Sequence, residues 1–385
     1  MLYYLFDYLD KIFDLPGAGV MKYLSFRAGM TAILSLFISI WFGGKIIKYL
    51  KKKQIGETVR ELGLEGQKAK EGTPTMGGII IILAILIPIL LFAKIANIYI
   101  LLMIFTTIAL GIVGFADDYI KVFKKNKEGL KPKWKMFGQI AVGIVVAVVL
   151  SFINNNDFST TIPFVKGNEF DYAWLISWIS PKAVNYAWII FIPIVIFIIM
   201  ATSNAVNLTD GIDGLAAGTT SISAAVLGIL AWISGNIVFA NYLNIMYLFE
   251  VGELLVFISA FVGATLGFLW HNSHPASIFM GDTGSLTLGG IIAVFAILIR
   301  KELLLPLLCL VFFWETFSVI IQRYVFKYRR IKHGWNYANT HRVFSMTPYH
   351  HHWQKKGMPE QKIVMRFYLV SILVAIFSLI TLKLR

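Results

Sequence analysis

Four stretches of this chain gather acids, amides, histidines and lysines at spacings suited to handling phosphate. GFADDYIKVFKKNKEGLKPKWK begins at Gly114 and sets Asp117 and Asp118 directly after an apolar run. Acids at the edge of an apolar segment are costly and usually functional. Two adjacent carboxylates repel, so one is protonated unless a cation neutralises them. Helix neighbours point about 100° apart, so the two acids are expected to have different roles. The bland alternative is a solvated interfacial pair facing nearby lysines. NAVNLTDGIDGLAAG repeats a polar residue every three positions from Asn204 through Asn207, Asp210 and Asp213, which lines one stripe of a helical segment. Gly211 and Gly214 let the backbone approach a ligand or a neighbouring helix. A loop of Asx turns is the competing reading and explains the register less well.

HNSHPASIFMGDTGSLTLGG begins at His271 and carries Asn272, Phe279 and Asp282. Asp282 sits where a helix N-cap is expected, and capping alone accounts for an acid there. The same helix start with flanking glycines is also a ready phosphate site. Phe279 can stack on a base, although interfacial anchoring is the commoner use of a loop aromatic. TPYHHHWQKKGMPE places His350, His351 and His352 side by side in a long basic loop. Adjacent histidines without partnering cysteines make a poor tetrahedral zinc site, and contact with phosphate oxygens suits them better. Lys70, with Thr73, Pro74 and Thr75 after it, and then Lys121 and Lys133 supply cationic cover. Carboxylates with lysines are the set that holds Mg²⁺ and oxyanions, which points to phosphoryl chemistry. No serine–histidine–acid spacing competes with it.

The elements that must position these residues are apolar. The 385 residues are 57% hydrophobic and 15% charged, with a mean hydropathy of +0.72; soluble domains carry about a quarter charged residues. Runs fall near 28–49, 76–94, 98–116, 136–153, 187–204, 212–233, 254–271, 285–299, 303–325 and 364–382, each close to the length that crosses a bilayer. The expectation is an all-α polytopic membrane protein of about ten transmembrane helices forming one domain over 1–385. The N-terminus has no basic stretch ahead of its apolar residues, and Asp7, Asp10 and Asp14 interrupt them, so an interfacial amphipathic helix is expected there rather than a signal peptide. Cys309 lies alone inside an apolar run and gives neither disulfide nor metal spacing.

Charge sets the orientation. The loops at 45–75, 117–135 and 323–363 hold eight, seven and nine Lys/Arg, 24 of the chain's 35. They share one side in a ten-span arrangement, which should be cytoplasmic, leaving both termini extracytoplasmic. The opposite loop at 154–186 holds only Lys166 and Lys182. All four polar motifs then fall on the cytoplasmic side, where they are expected to form the active site. The net charge of +14 mostly reflects this bias, and the lysines outside flanking positions suit an anionic substrate. No basic helix or nucleic-acid module is present, so nucleic acid is not expected as a partner.

At these motifs, together with TPTMGG at Thr73, the chain resembles the polyprenyl-phosphate N-acetylhexosamine-1-phosphate transferases. Five motifs in order make the likeness specific, and it extends to the terminal MRFYLVSILVAI helix. The resemblance implies Mg²⁺ as cofactor, UDP-N-acetylmuramoyl-pentapeptide and undecaprenyl phosphate as partners, UMP as a product, and the bacterial inner (cytoplasmic) membrane as location. It also allows a homodimer. Asp117, Asp118 and Asp282 match the family's essential acids, with Asp282 and then Asp118 the expected metal ligands. Lys70, Thr75, Lys133, Asn207, Asp210, Asp213, Asn272 and His350–His352 match its polar site, and Phe279 its uracil-facing aromatic. The segment RIKHGWNYANTHRVF is longer than the family pattern, and the resemblance gives His333 and His341 no role. A sister enzyme moving N-acetylglucosamine-1-phosphate onto the same carrier is the nearest alternative; the triple histidine and KKGMPE favour the muramoyl donor. An ion-coupled transporter is the alternative of another class, but transporters place acids near the midplane and carry inverted repeats.

Overall fold

The computed structural model describes residues 1–13, 17–52, 70, 72–126, 128–153, 157–165, 169–178 and 181–382. Most of the basic 45–75 loop, along with Asp14 and Lys166, lies outside the described residues.

A chain in hydrocarbon must satisfy its backbone N–H and C=O groups internally, and a helix does this within one segment. The helices are α1 (Leu2–Phe13), α2 (Leu24–Lys52), α3 (Gly78–Phe92), α4 (Ile98–Phe123), α5 (Pro132–Ile153), α6 (Ala173–Ser177), α7 (Trp188–Thr209) and α8 (Leu215–Ser234). They continue as α9 (Ile237–Leu243), α10 (Leu254–Asn272), α11 (Gly281–Leu298), α12 (Leu305–Leu308), α13 (Leu310–His333), α14 (Trp335–Thr340), α15 (Tyr349–Lys355) and α16 (Glu360–Ile380). Among the described residues, eight of them are long and apolar enough to cross a membrane: α2, α4, α5, α7, α8, α10, α11 and α16. The other two expected runs take different forms. The 76–94 run is α3, only 15 residues long. The 303–325 run breaks at Cys309, whose backbone leaves the helical region, and the helices on either side meet at 76°.

Two further expectations change. The expected 323–363 loop is largely helical: α13 runs on to His333, and α14 and α15 follow. Arg and Lys are good helix formers, so the basic stretch prolongs α13 rather than ending it. The 154–186 segment holds a short antiparallel pair, β1 (Ser159–Thr161) and β2 (Glu169–Asp171), with Thr160 opposite Phe170. Among the described residues the fold is therefore helical with one small antiparallel strand pair.

Helix α11 is the axis of the bundle. Of its most apolar stretch 89% is buried, against 33% for α2 and α5, which face outward. Helices α3, α4 and α7 pack around it, while α10 joins α2, α3 and α8. With lipid as apolar as the core, close packing and interhelical hydrogen bonds must hold the helices together. Ser203 Oγ on α7 donates to Leu286 O on α11 at 2.9 Å, and Gln139 on α5 reaches both Ser203 and Asn204.

The helices alternate in direction. The last turns of α4, α7 and α10 and the first turns of α5, α11 and α16 meet at one end, which carries the polar motifs. Met1 N donates to Leu90 O at 2.6 Å near the end of α3, so the described chain ends lie away from that face. At this far end a buried Arg27–Glu253 pair links α2 to the start of α10, and Glu253 also accepts from Lys94 N at 2.9 Å. Removing either charge would strand the other in a dry site.

Candidate active site

The site begins with the start of α11. Gly281 adopts φ +71°, and a Cβ there would come within 2.5 Å of Asp118 Oδ2. Only glycine combines this backbone with that approach. Asp118, on the last turns of α4, then accepts from Asp282 N at 3.0 Å and from Thr283 N and Oγ1 at 2.9 and 2.6 Å. The first N–H groups of α11 thus end on a buried carboxylate from another helix, where the helix dipole favours negative charge. Asp282 is therefore not the cap that its position suggested. It lies inside α11, with its side chain turned toward the remaining polar groups.

Those groups form a compact alternation of charge. Lys135 Nζ lies 2.9 Å from Asp117 Oδ1 and 2.5 Å from Asp282 Oδ2. Lys121 Nζ lies 2.6 Å from Asp117 Oδ2 and 3.4 Å from Asp282 Oδ1. The Lys121–Asp117 contact is an ion pair without an aligned hydrogen bond, since Oδ2 accepts none. Leu130 N donates to Asp117 Oδ1 at 2.7 Å, so the chain after α4 folds back over the acid. Asn207, on the last turn of α7, donates to Asp282 Oδ1 at 3.0 Å and to Ser285 Oγ at 2.8 Å. Asp117 is fully buried, while Asp282 and both lysines keep an open side.

Asp117, Asp118 and Asp282 each offer an oxygen within 4.8 Å of the others. This all-oxygen donor set suits a hard divalent cation that takes its remaining positions from water and substrate phosphate. Asp282 is the best placed donor, being the most open of the three. Asp118 already accepts three of the roughly four hydrogen bonds that a carboxylate can take.

A second polar group stands where 70, 213, 274 and 360 meet. Lys70 Nζ lies 2.8 Å from Asp213 Oδ1 and 2.7 Å from Glu360 Oε2. Burial opposes the charge on Lys70, but its hydrogen bonds to Asp213 and Glu360 outweigh that and raise its pKa above the ordinary lysine value. His274 Nδ1 lies 3.0 Å from Asp213 Oδ2. Asp213, His274 and Glu360 also have metal-like proximity, yet the Lys70 ammonium already occupies the space between the two acids. Asn272 accepts from Gly214 N at 3.0 Å and donates to Ile278 O at 2.9 Å, tying the glycine turn to the loop before α11. Asp210 terminates α7 as its C-cap residue.

The segment holding Thr75 pairs with this loop through the backbone. Phe279 N donates to Pro74 O, Gly77 N to Phe279 O and Gly78 N to Met280 O, at 2.8–2.9 Å. Thr75 is buried within the pairing and Phe279 is half-buried.

The three histidines take different partners, although the rings of His350 and His351 stay 4.1 Å apart. His350 is fully buried against Gly211, with Nδ1 3.2 Å from Glu315 Oε2, and its backbone N donates to the same carboxylate. His351 shares a 2.5 Å contact with Gln354, which in turn donates to Glu360 at 2.8 Å. Burial, and after it the neighbouring His350, push His351 down to about 4. His352 accepts from Ser345 N at 3.0 Å and stacks on Tyr349. Burial and then Lys356 lower its pKa as well.

One expected lysine is displaced. Lys133 is exposed and pairs with none of the described acids, and Lys135 stands in the cluster instead. Sequence reasoning also passed over Glu315, Glu360 and His274. Glu315 is an acid inside an apolar run, a signal that by itself marks function.

A polytopic helical bundle with acids and lysines converging at one end offers the donor set that holds a hard cation and phosphate oxygens. The sequence pattern of glycosyl transferase family 4 matches residues 100–300, and that of phospho-N-acetylmuramoyl-pentapeptide-transferase signature 1 matches residues 70–82. The chain is 55% identical to the phospho-N-acetylmuramoyl-pentapeptide-transferase of Flavobacterium psychrophilum over the full length of both proteins. It is 53% and 52% identical to the enzymes of that name from Flavobacterium johnsoniae and Parabacteroides distasonis, again over 100% of each chain. The chain belongs to the phospho-N-acetylmuramoyl-pentapeptide-transferase family.

Proposed function

We propose that this chain transfers phospho-N-acetylmuramoyl-pentapeptide from UDP-N-acetylmuramoyl-pentapeptide to undecaprenyl phosphate, releasing UMP at the cytoplasmic face of a bacterial inner membrane. The observation that carries the reading is the alternation of acids and lysines in which Lys121 and Lys135 each lie within 3.4 Å of both Asp117 and Asp282, in a chain of this family. The excess of Lys/Arg on the same side supports the orientation.

In this reading an oxygen of the lipid phosphate attacks the sugar-linked phosphorus. A new P–O bond forms to the lipid, and the P–O bond to UMP breaks. A phosphate monoester has a second pKa near 6, so the nucleophile arrives deprotonated and no proton need be removed. Lys121 and Lys135 face the charge that builds on the departing UMP, a preorganised role of the kind that dominates phosphoryl transfer. Asp117 holds the two ammonium groups in place. Asp282, oriented by Asn207, would hold Mg²⁺, and Asp118 fixes the peptide from which Asp282 projects. When bound, the metal neutralises diphosphate charge. In this reading Lys70, Asp213, Asn272 and Phe279 serve the uridine end of the donor, with Phe279 able to stack on the base.

The test is direct. Purified protein with undecaprenyl phosphate and Mg²⁺ should release UMP from UDP-N-acetylmuramoyl-pentapeptide and none from UDP-N-acetylglucosamine. Release from the second donor alone would sink the assignment.

A further inference from the structure

The cytoplasmic extension of α13 is not used by the reaction, and its surface is unlike that of a soluble loop. From Thr316 to Pro359 the chain contains no acid, yet it carries eight Lys/Arg, among them Arg323, Lys327, Arg330 and Lys332. The apolar side chains of this segment are not tucked away. Phe317, Tyr324, Tyr328 and Ile331 are 52, 69, 61 and 74% exposed, and Trp335, just past the Gly334 break, is 60% exposed.

Their spacing is helical. At about 100° per residue, Phe317, Tyr324, Tyr328 and Ile331 fall within a stripe roughly 60° wide. Lys327 and Lys332 border it, each about 70° from its centre, while Arg323 and Arg330 lie farther round on the Lys327 side, at about 110–130°. The segment is also ordered by its own contacts: Arg329 donates to His341 O, Tyr337 stacks on His341 with centroids 4.0 Å apart, and Ala338 is fully buried. An exposed aromatic and aliphatic stripe edged by cations is the surface of a helix lying in a membrane interface. Tyr and Trp prefer the headgroup level, and Lys and Arg can keep their stems in apolar surroundings while their charges reach phosphate.

We infer that the end of α13 and the start of α14 form an interfacial anchor for the anionic headgroups of the membrane leaflet on the active-site side. The stripe enters the headgroup region and Arg323, Lys327, Arg330 and Lys332 bind lipid phosphates. A lipid surface fits better than the carboxylates of a peptidyl donor, because cations alone would serve the donor and the exposed stripe would have no partner. The sharp turn at Cys309 supplies the geometry, since it takes α13 out of line with the helix before it.

The experiment measures depth rather than catalysis, so it stands or falls separately from the transfer reaction. A nitroxide is placed at Ile331→Cys in a Cys309→Ala background. Its accessibility to oxygen and to a water-soluble nickel complex is read in bilayers of phosphatidylcholine alone and with phosphatidylglycerol added. The expected result is immersion that deepens with phosphatidylglycerol and weakens at high salt. Each basic residue near an anionic surface contributes about fivefold in binding, so the Arg323→Gln/Lys327→Gln/Arg330→Gln variant should lower the immersed fraction's ratio by up to about a hundredfold. A label that stays in water in both bilayers overturns the inference. So does immersion indifferent to lipid charge, or a label that responds to added UDP-sugar peptide rather than to lipid. The lipid comparison needs no variant beyond the labelled chain, so it decides the matter even if the triple substitution fails to fold.

Discussion

Asp118→Asn separates two roles that sequence alone cannot distinguish, holding the fold and performing the chemistry. Asp118 Oδ2 accepts from Thr283 N and Oγ1, and Oδ1 accepts from Asp282 N. An asparagine has one acceptor oxygen. Placed at the Oδ2 position it keeps the two Thr283 bonds, but its amide then points hydrogens at the N–H of Asp282. That N–H is left without an acceptor, at about 1–3 kcal/mol. The two surviving bonds lose their charge assistance, about 1 kcal/mol together, and the α11 dipole loses its counter-charge, about 0.5 kcal/mol. Relief of the buried charge offsets part of this, leaving a net loss of about 2–3 kcal/mol. The apparent melting midpoint of detergent-purified protein should fall by about 3–4 °C, and activity should fall with it because Asp282 is displaced. Asp282→Asn should lose activity with a smaller drop, since Lys121 and Lys135 keep Asp117 as a partner. Intrinsic thermal unfolding beside UMP release checks both. If Asp118→Asn melts with the wild type while losing all activity, the helix-start argument is wrong and Asp118 acts on the substrate itself.

Lys135→Ala should lower kcat at least a hundredfold, whereas Lys133→Ala should stay within a few-fold in the same UMP assay; the reverse order would restore Lys133 to the site. Chelation should abolish UMP release and added Mg²⁺ should restore it, and a chelator-resistant rate would remove the metal from the mechanism. His351 stays uncharged in the fold down to about pH 4, while an unfolded chain binds that proton near 6.5. Stability linked to His351 is therefore present above pH 6.5 and lost as pH falls toward 4, so His351→Gln should flatten that acid limb of a melting-against-pH curve. One phosphoanhydride is broken and one is formed, so the equilibrium constant should lie within about tenfold of unity. Labelled UMP should then exchange into the UDP-sugar when the lipid product is present.

What the sequence made legible was the chemistry of isolated segments. Acids stand out at the ends of apolar runs, so Asp117, Asp118 and Asp282 announce themselves. The apolar runs also located most helices, because crossing a bilayer imposes their length. Phase and partnership were not legible. Lys133 and Lys135 are two residues apart, about 200° around a helix, and which one faces the acids depends on how α5 is rotated. The cap of α11 comes from a residue 164 positions earlier, so local capping rules pointed to Asp282 and not to Asp118. Glu315 and His350 are 35 positions apart and meet only because the chain turns back after α13.

The precision of the carboxylate cluster depends on positions that carry no chemistry. A Cβ at Gly114 would lie 2.3 Å from Asp282 O, and one at Gly78 would lie 2.1 Å from Gly284 N. Both clashes are with backbone, so no side chain can rotate to relieve them. Alanine at either position would push α4 or α3 away from the first turn of α11. Asp118 reaches that turn through bonds of 2.6–3.0 Å, and hydrogen bonds weaken steeply when stretched. A shift of 1 Å, on the order of what a methyl group demands, would therefore uncouple Asp118 from the N–H groups it holds and turn Asp282 away from Lys135. In this bundle the tight crossing of α3, α4 and α11 is itself part of what aligns the reacting groups. That is why Gly114 within α4 and Gly78 at the start of α3 belong to the site as much as the acids do.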